Sequence, residues 1–464
     1  ALSLLFIGYC LFFLALETFG DRLMIKKITP ILEKNTRFTF NLQQVRHQFL
    51  DPLHITVFDL SLAEKARLHA KISKARIDIQ LLALLQKKIQ IKQLLIMASD
   101  IEIFSPSNAS PTPSETIKKE DSTKQTGSTF KPLQIDHLHI QIEKAKLGDM
   151  MLKDFIAKSS HFTIADMNHP IEEALIKIDL SLQSLLHPYI QLDSFSTSMT
   201  LRNSALEVNK ISCNVFDQAF DASFSAQISD TLHDIAFAFS LAKFDLTQLT
   251  PYLHEDFAYP LLGAFSVRGS GFLPDLDELE NITGMFELKA HDIEIQNINA
   301  NALIESYIDS NKASLLDAAG FLTLGPIGLL ASQGMKVSQS IPGMIGGKTN
   351  VQNIHIDIQA KESKMHMQDV AIATSKHRIA AKGSIDLKQQ TFEDMRIGFL
   401  NRKGCADLVQ KVEGPISKPE FGVGKSVLKT LTAPVTSVGK KIGDIATGGC
   451  KVFYEGIVEH PSTM

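Results

Sequence analysis

The chain has 464 residues, a formal net charge of −4 and 44% hydrophobic residues. No strong positive field points to nucleic acid, and the length admits roughly two to four ordinary domains or one long repetitive one. Its aromatic set is 28 Phe and 6 Tyr with no Trp, and rings without polar handles suit dry apolar surface better than a wet binding rim.

The first residues, ALSLLFIGYCLFFLALETF, are almost wholly apolar through Leu16. Residues 1–20 are therefore expected to form a transmembrane helix whose start precedes Ala1, because the run falls short of the roughly 20 residues that span a bilayer. No small-residue cleavage site follows it, which argues against a removable signal peptide. Residues 21–35 read as a short helix, with Ile25, Ile28, Ile31 and Leu32 near helical spacing.

Strands are then expected at 37–46, 53–62, 66–80 and 87–104, with LLALLQ as a brief helical turn between the last two. Residues 105–132 hold Pro, Ser, Thr, Lys and Glu and almost no large apolar side chain. They cannot bury enough surface to offset the entropy of ordering, so a disordered insert is expected.

From 133 to 423 short alternating runs recur, which makes about 20 strands in all. The fullest example is 353–400. There Ile354, Ile356 and Ile358 point one way while His355, Asp357 and Gln359 point the other. The pattern returns at Met365 and Met367, shifts phase, and returns at Ile385 and Leu387. His355 reads as a solvent-side strand residue. A strand is also expected at 313–324. Helical interruptions are few: 245–253 with an Asp cap, 325–341, and 424–447. The last carries Leu428, Leu431, Val435, Val438, Ile442 and Ile445 on one stripe, as an amphipathic helix before the C-terminal tail.

A β-sandwich closes after about 7 to 9 strands, and these strands continue without a linker after 133. The fold class is therefore mainly β: a long curled antiparallel sheet forming an apolar groove, on the order of 90 Å long at ~4.8 Å per strand. A closed lipid-facing barrel is excluded by Lys, Asp, Glu and His on the non-apolar face, which should meet water.

Motifs for chemistry fail one by one. GMIGGKTN (343–350) lacks the first P-loop glycine, since that place is Pro342, and reads as a flexible glycine loop. PDLDELEN (274–281) lacks the calcium-loop spacing and reads as an acidic turn between strands. His137 and His139 make two ligands at most, not a zinc site. No G-x-S-x-G or H-E-x-x-H occurs. An enzyme is not expected, and no cofactor or metal is implied.

At GAFSVRGSGFLPDLDELENITGMFELKAHDIEIQNIN (263–299) the chain resembles the C-terminal region of the AsmA family, in which a Gly-rich strand precedes a turn and a strand ending in an apolar pair. Residues 367–400, with Gly383, Asp386 and Leu387 in a G-x-I-D-L position, and VEGPISKPEFGV (412–423), with Gly414, Pro419 and Phe421, are similar to the family's ending. The apolar start followed by 21–40 also resembles the family's start, while the insert departs from it.

This resemblance implies a bridge-like protein anchored in the cell inner membrane by a single span, with the bulk of the chain in the periplasm. It implies a conduit moving phospholipid towards the outer membrane. The groove lining would then include Ile354, Ile356, Ile358, Met365, Met367, Ile385 and Leu387. Envelope or outer-membrane proteins are the further partners to consider, and a scaffold that presents sheet edges to outer-membrane proteins is the alternative reading.

Of the four cysteines, Cys10 lies in the apolar start. Cys213, Cys405 and Cys450 cannot all pair with one another. Cys405 with Cys450 is the pair expected in an oxidising compartment, because both lie near the chain end, and free buried thiols are the other outcome.

Overall fold

The computed structural model describes residues 38–48, 52–64, 68–104, 132–166, 169–188, 190–229, 231–248, 260–302, 304–305, 345–422 and 450–461. The expected membrane span, the helix at 21–35, the insert at 105–132 except Pro132, the strand at 313–324 and the helices at 325–341 and 424–447 lie outside these. Among the described residues no helix is long and apolar enough to cross a membrane.

The described chain is mainly β, with 19 strands and few helical turns. It divides into two compact units, one drawn from 1–217 and 221–232, the other from 218–220 and 233–464.

The first unit contains β1 (Thr39–Gln48), β2 (Leu53–Glu64), β3 (Leu68–Ile79), β4 (Ile89–Ile103) and β5 (Leu133–Leu147). These are followed by β6 (Met150–Ile164), β7 (Ala174–His187), β8 (Ile190–Arg202), β9 (Ala205–Val215) and β10 (Gln218–Ile228). Each pairs with its chain neighbour. The LLALL turn between β3 and β4 is a short helix, α1 (Leu81–Leu85), as the sequence indicates.

One pairing corrects the antiparallel expectation. β4 and β5 run parallel, with Ile89 opposite Leu133 and Ile103 opposite Leu147. A hairpin cannot make such a pair; it needs a connection of a dozen residues or more. The residues between β4 and β5 are long enough to bring the chain back to the start of β4. The sheet is therefore mixed.

The second unit contains β11 (Leu232–Asp245), β12 (Leu261–Asp275), β13 (Thr283–Ile298), β14 (Ile345–Lys361) and β15 (Lys364–Thr374). β16 (Arg378–Asp386), β17 (Thr391–Leu400), β18 (Ala406–Glu413) and β19 (Glu420–Gly422) complete it. All pair antiparallel in chain order. The acidic stretch 274–281 is the β12–β13 turn, closed by the Asp277 amide donating to Asp275 Oδ1 at 2.9 Å and by a 3-10 turn at Leu279–Asn281. Asp245 caps a 3-10 turn at 246–248 through the Thr247 amide and hydroxyl, at 2.9 and 2.7 Å.

The glycine-loop reading of 343–350 is overturned from 345 onward. Residues 345–350 open β14, with Thr349 opposite Ile295 and Lys348 opposite Gln296. Gly347 serves packing there: a Cβ on it would stand 3.0 Å from Asn299 Cβ.

Seven non-glycine residues inside strands have positive φ: Asp59, Asp154, Ser194, Asp234, Asp292, Asn297 and Asp394. Short polar side chains tolerate this region best. At Ser194, Asp292, Asn297 and Asp394 the register also slips, and the extra residue there bulges the strand, bends it and increases its twist. The phase shift visible in the sequence after Met367 has the same origin, since the β15–β16 register slips between His366 and Val370.

Candidate functional site: an apolar sheet face

Cross-strand register turns the alternation of single strands into continuous apolar rows. In the first unit one row passes from Val45 on β1 through Val57, Ala75, Ile96, Ile140, Ala157, Leu180 and Thr197 to Ile211 on β9. Only Val45 and Ala157 of that row are buried; the other seven are half-buried. A face built to be covered by its own chain would bury most of such a row. Towards the α1 end the same unit gathers a small cluster on Ile91, Ile135 and Leu138, flanked by half-buried Ile77, Ile89, Leu94 and Leu133.

The second unit has a graded face. Its central row joins Phe265, Ala290, Ile354, Ile372, Ile379, Phe399 and Leu408 across β12 to β18. Towards the start of β14 the face is closed by the protein itself. Residues 300–302, 304 and 305 are helical, and Ala300 and Ile304 bury against Val351, Ile293 and Ile295. The turn is fixed by the Asn299 side chain accepting from the Ala302 amide at 3.1 Å, and by Thr349 Oγ1 accepting from the Ala300 amide at 2.7 Å. Thr374 Oγ1 donates to Asn301 Oδ1 at 2.7 Å and ties the turn to β15.

Towards the other end of β14 the face opens. A row of Phe237, Gly271, Gly284, Ala360, Met365, Ile385 and Phe392 crosses β11 to β17. Its middle has almost no side chains, and this leaves a trough. Phe237 and Phe239 form one wall, and Phe286, Ile358 and Met365 the other, around a cavity of about 250 Å³. The glycines hold the aromatic wall down: a Cβ at Gly269 would stand 2.6 Å from the Phe239 ring, and one at Gly271 2.7 Å from the Phe237 ring.

The residues expected to line a groove separate accordingly. Ile354 is only 5% exposed and belongs to the protein's own core, so it is not on the accessible part of the face. Ile356, Met367 and Ile385 are half-buried beside that core. Ile358 and Met365 line the trough. Leu387 lies just past β16, half-buried, its amide donating to Ser363 O at 2.8 Å.

His355 is the clearest correction on the opposite face: it is buried, at 6% exposure. Its Nδ1 lies 3.2 Å from Asp369 Oδ2 and its Nε2 3.3 Å from Glu287 Oε1. Lys289, ahead of Arg268 and His355, holds the Glu287 carboxyl below its usual range. The alternation placed His355 on the polar side correctly, but the C-terminal residues 450–461 return over that side. Tyr454 and Val458 bury against Ala371, Ala373, Ala380 and Leu400. Gly398 lies beneath Phe453, since a Cβ there would meet that ring at 2.7 Å. Small residues on this strip make room for a covering segment.

The cover is anchored by a disulfide between Cys405 and Cys450, with Cα atoms 6.0 Å apart. Arg378 adds a second anchor, donating to Val458 O and Asn401 O, both at 3.0 Å. Cys213 is free and buried, and burial, with Asp221 nearby, pushes its thiol up. His137, exposed, and His139, half-buried, flank Leu138 on β5, and among the described residues no cluster of three or more His, Cys, Asp and Glu side chains could hold a metal ion.

No family model, no curated protein and no solved structure matches this chain. The class that the geometry defines is a long mainly β protein whose sheets carry incompletely covered apolar faces.

Proposed function

We propose that the chain is a lipid conduit of the AsmA-like kind, in which the half-buried apolar rows hold phospholipid acyl chains while headgroups stay in water. The observation that carries this reading is the trough at Gly271, Gly284 and Ala360, walled by Phe237, Phe239, Ile358 and Met365. Six half-buried apolar members of the Val45–Ile211 row, Val57, Ala75, Ile96, Ile140, Leu180 and Ile211, support it in the first unit.

The physical need is large. Each methylene moved into water costs about 0.8 kcal/mol, so a lipid with two chains of about 16 carbons faces roughly 25 kcal/mol on leaving a membrane unaided. An apolar face that follows the chain from row to row removes most of that barrier without any covalent step. The Cys405–Cys450 disulfide fits an oxidising compartment such as the periplasm. The N-terminal apolar run fits attachment to the inner membrane, with the outer membrane as the proposed destination and a gradient or a partner to set the direction.

A photocrosslinking side chain placed at Met365 in cells tests the reading. Capture of phospholipid supports the conduit. Capture of unfolded outer-membrane proteins instead, with no lipid adduct, overturns it in favour of a scaffold.

A further inference from the structure

The β3–β4 connection exposes leucines that a soluble hairpin would normally hide. In α1, Leu82 is 59% and Leu85 82% exposed, while only Ala83 is buried. Lys87 and Lys88 follow directly, both exposed, and neither has an ion-pair partner among the described residues. Two bare leucines beside two unpaired cations are a recurrent design for meeting an anionic bilayer surface.

Two further observations point the same way. The amides on the C-terminal side of the tip are paired: those of Gln86 and Lys88 donate to Ala83 O, both at 3.0 Å, and that of Lys87 to Leu84 O at 2.9 Å. Those three groups enter an interface without carrying an unpaired N–H into it. The tip also joins Ile79 at the end of β3 to Ile89 at the start of β4, and Ile89 flanks the apolar cluster of Ile91, Ile135 and Leu138. An apolar path thus leads from the exposed leucines onto the sheet face. The neighbouring β6–β7 turn bounds the patch, because it carries Glu172 and Glu173 as well as the 40% exposed Ile171.

We infer that α1 with Lys87 and Lys88 is a membrane-docking tip that seats on an anionic phospholipid surface and opens the first unit's apolar face to it. The inference rests on the conduit reading and gives it a port. The strands run from the end where β1 begins to the end where α1 lies, so the tip stands at the opposite end of β1 to β4 from Thr39. The bilayer it meets is reached away from the point where the N-terminal segment joins the sheet.

The test places an environment-sensitive dye on Leu85→Cys in the full chain with Cys10→Ser and Cys213→Ser, held in a phosphatidylcholine nanodisc. Vesicles containing phosphatidylglycerol should shift the emission to the blue, and phosphatidylcholine vesicles should not. Adding Lys87→Ser and Lys88→Ser should weaken the response about 30-fold in vesicle concentration, the product of roughly fivefold per removed cation. Emission that stays at its aqueous position with anionic vesicles overturns the tip. If that protein still carries lipid by mass spectrometry, the conduit stands and the port lies elsewhere. If it carries none, the conduit reading fails as well.

Discussion

Tyr454 donates its hydroxyl to Asp369 Oδ1 at 2.5 Å across 85 positions of sequence, and the same hydroxyl oxygen accepts from the Val458 amide at 3.1 Å. Asp369 Oδ2 in turn accepts from the Ile457 amide at 3.0 Å and faces His355. One carboxylate on β15 thus fixes the returning tail over the polar face of the second unit. Burial and the hydrogen bond to Asp369 both push the Tyr454 hydroxyl well above its ordinary pKa, so it stays a donor throughout the working pH range.

Tyr454→Phe removes both of those hydrogen bonds and keeps the ring. A loss of about 1–2 kcal/mol is expected. It should appear as faster hydrogen exchange at 453–458 before any change in the rest of the unit. Exchange as slow as in the parent would show that packing alone holds the tail.

Cutting the disulfide should cost more. Cys405 and Cys450 are 45 positions apart, and closing a loop of that length constrains the unfolded chain by about 4 kcal/mol in the entropic account. Reduction, or Cys450→Ala, should lower the denaturant midpoint of the second unit and leave the first unit's transition in place.

Acid should act on the first unit through Asp78. Burial alone would raise its pKa, but hydrogen bonds from Arg76 and His54, at 2.8–2.9 and 2.7 Å, hold it below the ordinary 3.8. The folded value is the lower one, so the stabilisation is present above the ordinary carboxylate value and is lost as pH falls through the folded one. Asp78→Asn should lower stability at neutral pH by about 2 kcal/mol and flatten the acid limb between those values. A parallel limb in the variant would place the acid sensitivity elsewhere.

The trough depends on glycine. Gly269→Ala sets a methyl where the Phe239 ring lies, 2.6 Å away, so the ring must move or the strands must part. A destabilisation of about 1–3 kcal/mol is expected, with a change in the aromatic near-ultraviolet spectrum as the wall shifts.

Much of this was legible in the alternation of the chain. Ile354, Ile356 and Ile358 share a face because side chains alternate along a strand, and the register then joins them to Leu288, Phe286 and Ile372. What single-strand patterns cannot carry is the identity of the cover. Ile354 and Ile358 are the same residue on the same face, yet one is buried in the cluster that includes Ala300 and Ile304 and the other lines a trough. His355 alternates like a solvent residue and is buried by a segment about a hundred positions later. The first half of β6 carries little alternation, because Lys153 and Asp154, the latter at positive φ, interrupt its apolar period. The parallel β4–β5 pair had one signal, the length of the segment between them. The small residues Ala371, Ala373, Ala380 and Gly398 were the available sign that the tail lies over this strip.

The central claim is an apolar face that holds lipid, and Ile358 and Ile354 separate it from a protein core. Native mass spectrometry of the full chain, with lipid extraction, measures it directly for the parent, Ile358→Asp and Ile354→Asp. The expected result is phospholipid on the parent, a folded Ile358→Asp protein that has lost it, and an unfolded Ile354→Asp protein, because a charge in the closed core costs several kcal/mol. A parent that carries no phospholipid, or an Ile358→Asp protein that unfolds like the core variant, would contradict it.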